Sequence, residues 1–380
     1  MPASRRTHLL GETAESEGSK RIGVWMMAII PGRYRRIVVM VILFLTSCVS
    51  RSFPPPIVVT QGVSEDGRED RISARKGGEG DRLRARGREF LARGETSAAI
   101  PLLERFVAAY PTHPVWLETL YDLATALRKA GKKQRAIECY RRLLHHSDRS
   151  ADSRFIWKAA FDLAELEGSL GEWRAASQTY AWITANERMD DLTRTEARLR
   201  LGIAYYELDR KDLAVETIES ALERSTRLNR QGLVVDTRLL AQSYFTLGEI
   251  CFSYFKTISL QSSPSDLEKM LDWKVKMLLA ARDRYLEAAD FEDPFWMTAS
   301  LYRIGLAYDL LYKEILEAPL PEGLSPEETR IYRRELRKAV GGIRDKAVNT
   351  YRQILQFATE HQIDNEWVEQ IRMRLSRLIP

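Results

Sequence analysis

Three cysteines and one histidine pair are the residues of this chain best equipped for chemistry. A thiolate is a nucleophile and a metal ligand. Cys48 stands behind Thr46 and Ser47, and these follow the nine-residue apolar run Ile37–Leu45, which Arg33, Arg35 and Arg36 precede. Cys139 and Cys251 lie well inside the rest of the chain. His145-His146 and Asp148 bring metal-ligand types together, but neighbouring helical side chains point about 100° apart. A solvated helix end accounts for them, and His113 and His361 also read as surface residues near helix ends. There is no glycine-rich phosphate loop, no Gly-x-Ser-x-Gly elbow and no His-Glu-x-x-His pair. The sequence therefore implies no catalytic residues, no metal and no cofactor.

The apolar run is too short to cross a bilayer, which takes about 20 residues, and it has the length of a signal-peptide core. Basic residues, apolar run, then Leu45-Thr46-Ser47-Cys48 together resemble the signal and lipobox of bacterial lipoproteins. The resemblance implies that Cys48 becomes the acylated first residue of the mature protein, anchored to membrane by its acyl chains. Val49 rather than Asp after that cysteine leans toward the outer membrane, facing the periplasm. Residues 1–26 are polar and mixed in charge, unlike a signal, and read as a dispensable leader before a signal peptide at 27–47. Residues 48–80, with Pro54-Pro55-Pro56 and few apolar side chains, read as a disordered lipid-anchored tether.

The formal charge of +5 does not point to nucleic acid. Residues 1–47 hold 7 Lys/Arg and 3 acids, leaving 51 basic and 50 acidic residues beyond them. A nearly neutral remainder has no electrostatic reason to seek phosphate. Nor does any feature suggest a small-molecule substrate.

From about residue 81 a pattern recurs: a small residue, a bulky one three later, then an Ala, then a bulky one four later. It occurs at Gly87/Phe90/Ala99/Leu103, Ala124/Leu127/Ala136/Tyr140 and Gly202/Tyr205/Ala214/Ile218, and more weakly at Ala164/Ala176/Tyr180. Longer versions join Gly248/Cys251 to Ala281/Tyr285 and Gly305/Tyr308 to Ala347/Tyr351. Gly94, Gly131 and Gly171 sit where the first three hairpins would turn. The first four alanines are 37, 40 and 38 residues apart. The pattern resembles the tetratricopeptide repeat, two antiparallel helices with a period near 34. The resemblance implies an all-α, right-handed helical-hairpin solenoid of about six repeats over residues 81–362, the last two with lengthened helices. Inserts at about 256–276 and 315–344 carry helix-start chemistry at Ser263-Pro264 and Ser325-Pro326. Gly341-Gly342 is a candidate break in the second. Val368, Ile371, Leu375 and Leu378 form an apolar stripe, so residues 363–380 read as a capping helix.

In that family ligands meet the first helix of each pair on the concave face. The matching positions here are Arg84, Arg88, Tyr121, Arg128, Lys129, Phe161, Glu165, Tyr206, Phe245 and Tyr302. Members that bind chaperone tails clamp a carboxylate with Lys and Asn, but the Asn position here reads Arg88, Thr125, Glu165, Ile203, Glu249 and Leu306. Cys139, Cys251 and the tryptophans from Trp116 to Trp367 read as packing residues. Arg105–Pro114 resembles repeats of envelope lipoproteins, including the lipoprotein of the outer-membrane β-barrel assembly machine. The expected protein is a membrane-anchored scaffold for other cell-envelope proteins or peptides, held on the concave face or on the long arms. An accessory that organises a secretion, motility or glycan-synthesis machine is the alternative.

Overall fold

The chain is seen here as a computed structural model that describes residues 78–146, 153–187, 189–261 and 264–378. The leader, the signal peptide, Leu45, Thr46, Ser47 and Cys48, the tether up to residue 77, and Asp148 lie outside the described residues. Thirteen helices and no strand occur among the described residues, and none of the helices is long and apolar enough to cross a membrane. Two compact units divide the chain between Ser243 and Tyr244.

The first unit contains four hairpins: α1 (Glu79–Ala92) with α2 (Thr96–Ala109), α3 (Trp116–Lys129) with α4 (Lys133–His146), α5 (Ser153–Ser169) with α6 (Trp173–Ala185), and α7 (Asp191–Glu207) with α8 (Lys211–Arg230). Each hairpin closes on the recurring pattern. Gly80 packs on Phe106 and Tyr110 while Gly87 packs on Leu103, so the partner number falls as the residue number rises and α1 and α2 run antiparallel. That contact also starts α1 two residues before the expected boundary. The equivalent Ala99, Ala136, Ala176 and Ala214 are all fully buried. Small residues here let two backbones approach, and the large residue beside each fills the remaining space.

Turns between paired helices share one hydrogen-bond scheme. Gly94 N–H donates to Leu91 and Glu95 N–H to Phe90, and Gly131/Lys132 repeat the pair on Arg128 and Leu127. This helix stop needs a left-handed residue, and Gly94, Gly131 and Gly171 have φ near +75°. The fourth hairpin makes the same stop without glycine: Asp209 takes φ +56°, and Arg210 N–H donates to Tyr205.

The second unit contains the larger part of α9 (Thr237–Thr257), then α10 (Pro264–Ala289), α11 (Pro294–Glu317), α12 (Pro326–Glu360) and α13 (Glu366–Leu378). The lengthening expected from the inserts is present: α10 has 26 residues and α12 has 35, against 14 in each of the first four helices. Ser325 caps α12 in a reciprocal box with Glu328, with Pro326 at the first position. Gly341-Gly342 does not break α12. Val340, Ile343 and Ala347 are buried on one face and hold the helix through the glycines. The arms share one core, in which Phe255, Leu267, Leu271 and Ile315 are buried together with Val340 and Ile343. Lys274 is fully buried; its ammonium donates to the Phe255 and Ile258 carbonyls and pairs with Glu314 at 2.8 Å, tying the end of α9 to α10 and α11. Helix α13 buries Val368 and Ile371, and Arg374 pairs with the buried Asp309 of α11.

Cys139 and Cys251 are unbridged thiols that pack against the two larger cores, half-buried rather than fully buried. Two tryptophans depart from the packing reading: Trp182 and Trp273 are 43% and 48% exposed. His113 is half-buried, edge-on to Phe106 and 3.5 Å from Asp81.

Candidate functional site

Residues four apart on a helix share a face, and the first helices of the first unit use that face to reach one another. Arg84 pairs with Glu118 at 2.7 Å, and Arg88 spans Glu118 and Asp122 at 3.3 and 3.7 Å, joining α1 to α3. Arg128 reaches Asp162 and Glu165, each at 3.4 Å, joining α3 to α5. The Tyr121 hydroxyl donates to Asp162 at 2.6 Å, while Lys158 lies over the Tyr121 ring. Burial, helped by the Asp162 carboxylate, holds the Tyr121 phenol well above its ordinary pKa. Four of the expected ligand positions, Arg84, Arg88, Tyr121 and Arg128, thus join successive repeats. Lys129 beside them is exposed.

From α5 to α7 this ladder changes character. The Arg200 guanidinium lies over the Phe161 ring, 5.7 Å from its centroid, and a groove of about 450 Å³ opens alongside. Ala164, Gly168, Trp173, Tyr180, Ile203 and Leu239 supply its apolar part; Glu165, Ser169, Arg200, Asp236, Arg238 and Gln242 supply its polar part. A side chain at Gly168 would enter the Trp173 indole, which an added Cβ would meet at 2.8 Å, so glycine is what seats Trp173 in the groove wall. The Asp236 N–H donates to Glu196 of α7, and the Asp236 carboxylate accepts from the Arg238 N–H, fixing the start of α9 against the groove. Two acids and two arginines leave the lining without net charge. An apolar floor with a few placed polar groups is the usual build of a binding site.

Of the expected ligand positions, Glu165 lines this groove and Phe161 borders it through Arg200. Tyr206 is half-buried at the end of α7. Phe245 and Tyr302 belong to the second unit and are core residues. Phe245 packs on Tyr285 and Trp296, and Tyr302 on Tyr351 and Trp367, so aromatic side chains from the neighbouring helices cover both. Trp173, Asp236, Arg238 and Gln242 were missed. Trp173 starts a second helix, and the others lie at the entry to α9, so none is in the register of ligand positions. Among the described residues no group of three His, Cys, Asp or Glu is placed to hold a metal.

This arrangement defines a class, the helical-hairpin repeat array with a groove beside its first helices. The sequence model of the tetratricopeptide repeat family matches residues 84–145 and 161–227, about a third of the chain, in the unit that contains the groove. No curated protein matches the chain. Similar solved structures include a tetratricopeptide repeat protein from Parabacteroides merdae, 17% identical, spanning 80% of this chain and all of its own, with a TM-score of 0.39. MamA from Desulfovibrio magneticus is 16% identical over 55% of this chain and 97% of its own, at a TM-score of 0.36. The TPR2AB domain of yeast Sti1, solved in complex with an Hsp90 peptide, is 16% identical over 70% of this chain and 98% of its own, at 0.32.

Proposed function

We propose that this chain is a lipid-anchored scaffold of the cell envelope whose repeat groove holds a segment of another envelope protein. The observation that carries the reading is the groove between α5 and α7, an apolar floor with a balanced polar rim, most of whose lining falls in a segment that matches the tetratricopeptide repeat. Repeat arrays of this type bury each hairpin on its neighbours and leave a continuous surface for protein partners. Cys48, behind its basic and apolar leader, supplies the anchor in this reading, with the outer membrane facing the periplasm as the expected site.

Two arms test it in cells. Wild type should take up labelled palmitate and sediment with membranes, and Cys48→Ser should do neither; equal labelling of the two ends the anchoring part. A photo-crosslinking residue at Arg238, on the groove rim, should capture a defined set of envelope proteins that the same residue at Glu216 on α8 does not. Capture from both positions alike, or from neither, ends the groove part.

A further inference from the structure

The groove described above has a candidate occupant within the chain itself, and the inference rests on the reading of that groove as a peptide site. We propose that the segment Phe53–Gln61 docks in the α5–α7 groove of its own chain and must be displaced before a partner binds. Phe53-Pro-Pro-Pro-Ile-Val-Val-Thr-Gln61 is nine residues without a charge, apolar through Val59. The groove presents Trp173 and Tyr180 beside Ile203 and Leu239, with Glu165 and Asp236 balanced by Arg200 and Arg238. An apolar segment matches the apolar part of this lining, with the charged rim groups keeping their solvent at its edge. Three consecutive prolines favour an extended left-handed helix that aromatic-lined grooves accept, and its preset shape lowers the ordering cost of docking.

The chain lengths agree. Sixteen residues separate Gln61 from Gly78, where the described structure begins. They reach at most about 60 Å, and as a coil they span roughly 23 Å. The groove edge on α5 lies two helix spacings across from α1, about 20 Å at the usual interaxial distance, and toward the C-terminal end of α5, so the linker also runs part of a helix length, still within its reach. Effective concentration peaks when the coil span matches the distance to be bridged, and reaches the millimolar range for short linkers. A weak segment therefore occupies the groove until a stronger partner arrives. With Phe53 docked, four residues remain between it and Cys48. Docking would shorten the leash, hold the repeats close to the membrane and release them when a partner displaces the segment.

The test uses the full chain in native membranes, with a photo-crosslinking residue in place of Val58 and peptide mapping of the products. Crosslinks should fall on peptides containing Trp173 and on those containing Arg238 and Gln242. Mixed preparations of light and heavy isotope chains should give pairs within one label only. Ile57→Asp with Val59→Asp should cut the yield about tenfold. Crosslinks outside the groove, a majority of mixed-label pairs, or a yield indifferent to the double substitution each overturn the proposal. If the Arg238 probe still captures partners while Val58 does not reach the groove, the self-docking inference alone fails. If neither probe engages the groove, the peptide-site reading fails with it.

Discussion

Gly202 shows how little room the repeat leaves at its crossing point. An added Cβ would run into the Ile218 side chain and come within 3.2 Å of the Ile218 backbone nitrogen, so no rotamer change relieves it. An added Cβ at Gly248 or Gly305 would run into the rings of Tyr285 and Tyr351. These contacts make the small-and-large pairs read from the sequence physical facts: one residue's missing side chain is the seat of another's bulk. Burial has a different consequence at Cys139. Desolvation is the largest influence on its thiol and raises its pKa to about 11, outweighing the nearby Arg135 and Arg142. Because the neutral thiol is the favoured form, the reactive thiolate is scarce below that pH and grows as pH rises toward 11. At pH 8 the native protein should alkylate at Cys139 about a hundredfold more slowly than the urea-unfolded chain, where an ordinary thiol pKa applies. Site-resolved mass spectrometry over pH 7 to 10 reads this. Equal rates in the two states would show that the thiol is solvated.

At the scale of elements, helix α12 is the most informative. Its 35 residues include Gly341 in the interior, yet nothing lies within 4 Å of the Cβ that an alanine would add there. Glycine in a helix interior costs about 0.5–1 kcal/mol relative to alanine through the freedom it regains on unfolding. Gly341→Ala should therefore stabilise the protein by that amount, read as a raised denaturant midpoint at unchanged slope; a lowered midpoint would mean that the glycine serves a close approach or a bend. From sequence, Gly341-Gly342 looked like a break because local propensity was all that could be weighed, and burial of Val340, Ile343 and Ala347 outweighs it. The cap at Ser325 was legible because cap chemistry is local. The six hairpins were legible because a repeat states its packing rule several times over. The groove was not. Its wall is Trp173, part of its rim comes from Asp236 and the first turns of α9, and its opening depends on how far α5 and α7 stand apart, which no residue type encodes. Phe245 and Tyr302 were hidden for a related reason: whether a first-helix position is covered depends on the aromatic side chains its neighbours bring to it, here Tyr285, Trp296, Tyr351 and Trp367.

For the molecule as a whole, the consequence of hairpin stacking is that stability is held locally. The first unit keeps its buried residues in clusters of its own, one around Leu103, Leu120 and Tyr140 and another around Ala164, Tyr180 and Ala197, while the second unit gathers Phe252, Tyr285 and Tyr351 in a third. In a repeat array each unit gains from its neighbours, and a perturbation fades with distance along the stack. Leu120 is fully buried on α3 in the first of these clusters. Leu120→Ala removes apolar contacts and leaves a cavity, a change that costs about 2–5 kcal/mol. Hydrogen exchange followed peptide by peptide should show that loss across α1 to α6, a smaller loss in α7 and α8, and protection close to wild type in α11 and α12. The gradient follows because opening the first hairpins exposes none of the core around Tyr351. Uniform loss of protection to the end of α12 would mean that the whole chain unfolds as one cooperative body, and that the separate clusters do not act as separate sources of stability. Loss confined to α3 and α4 alone would mean that neighbouring hairpins contribute less to one another than the Arg88 and Arg128 ion pairs and the shared cluster imply.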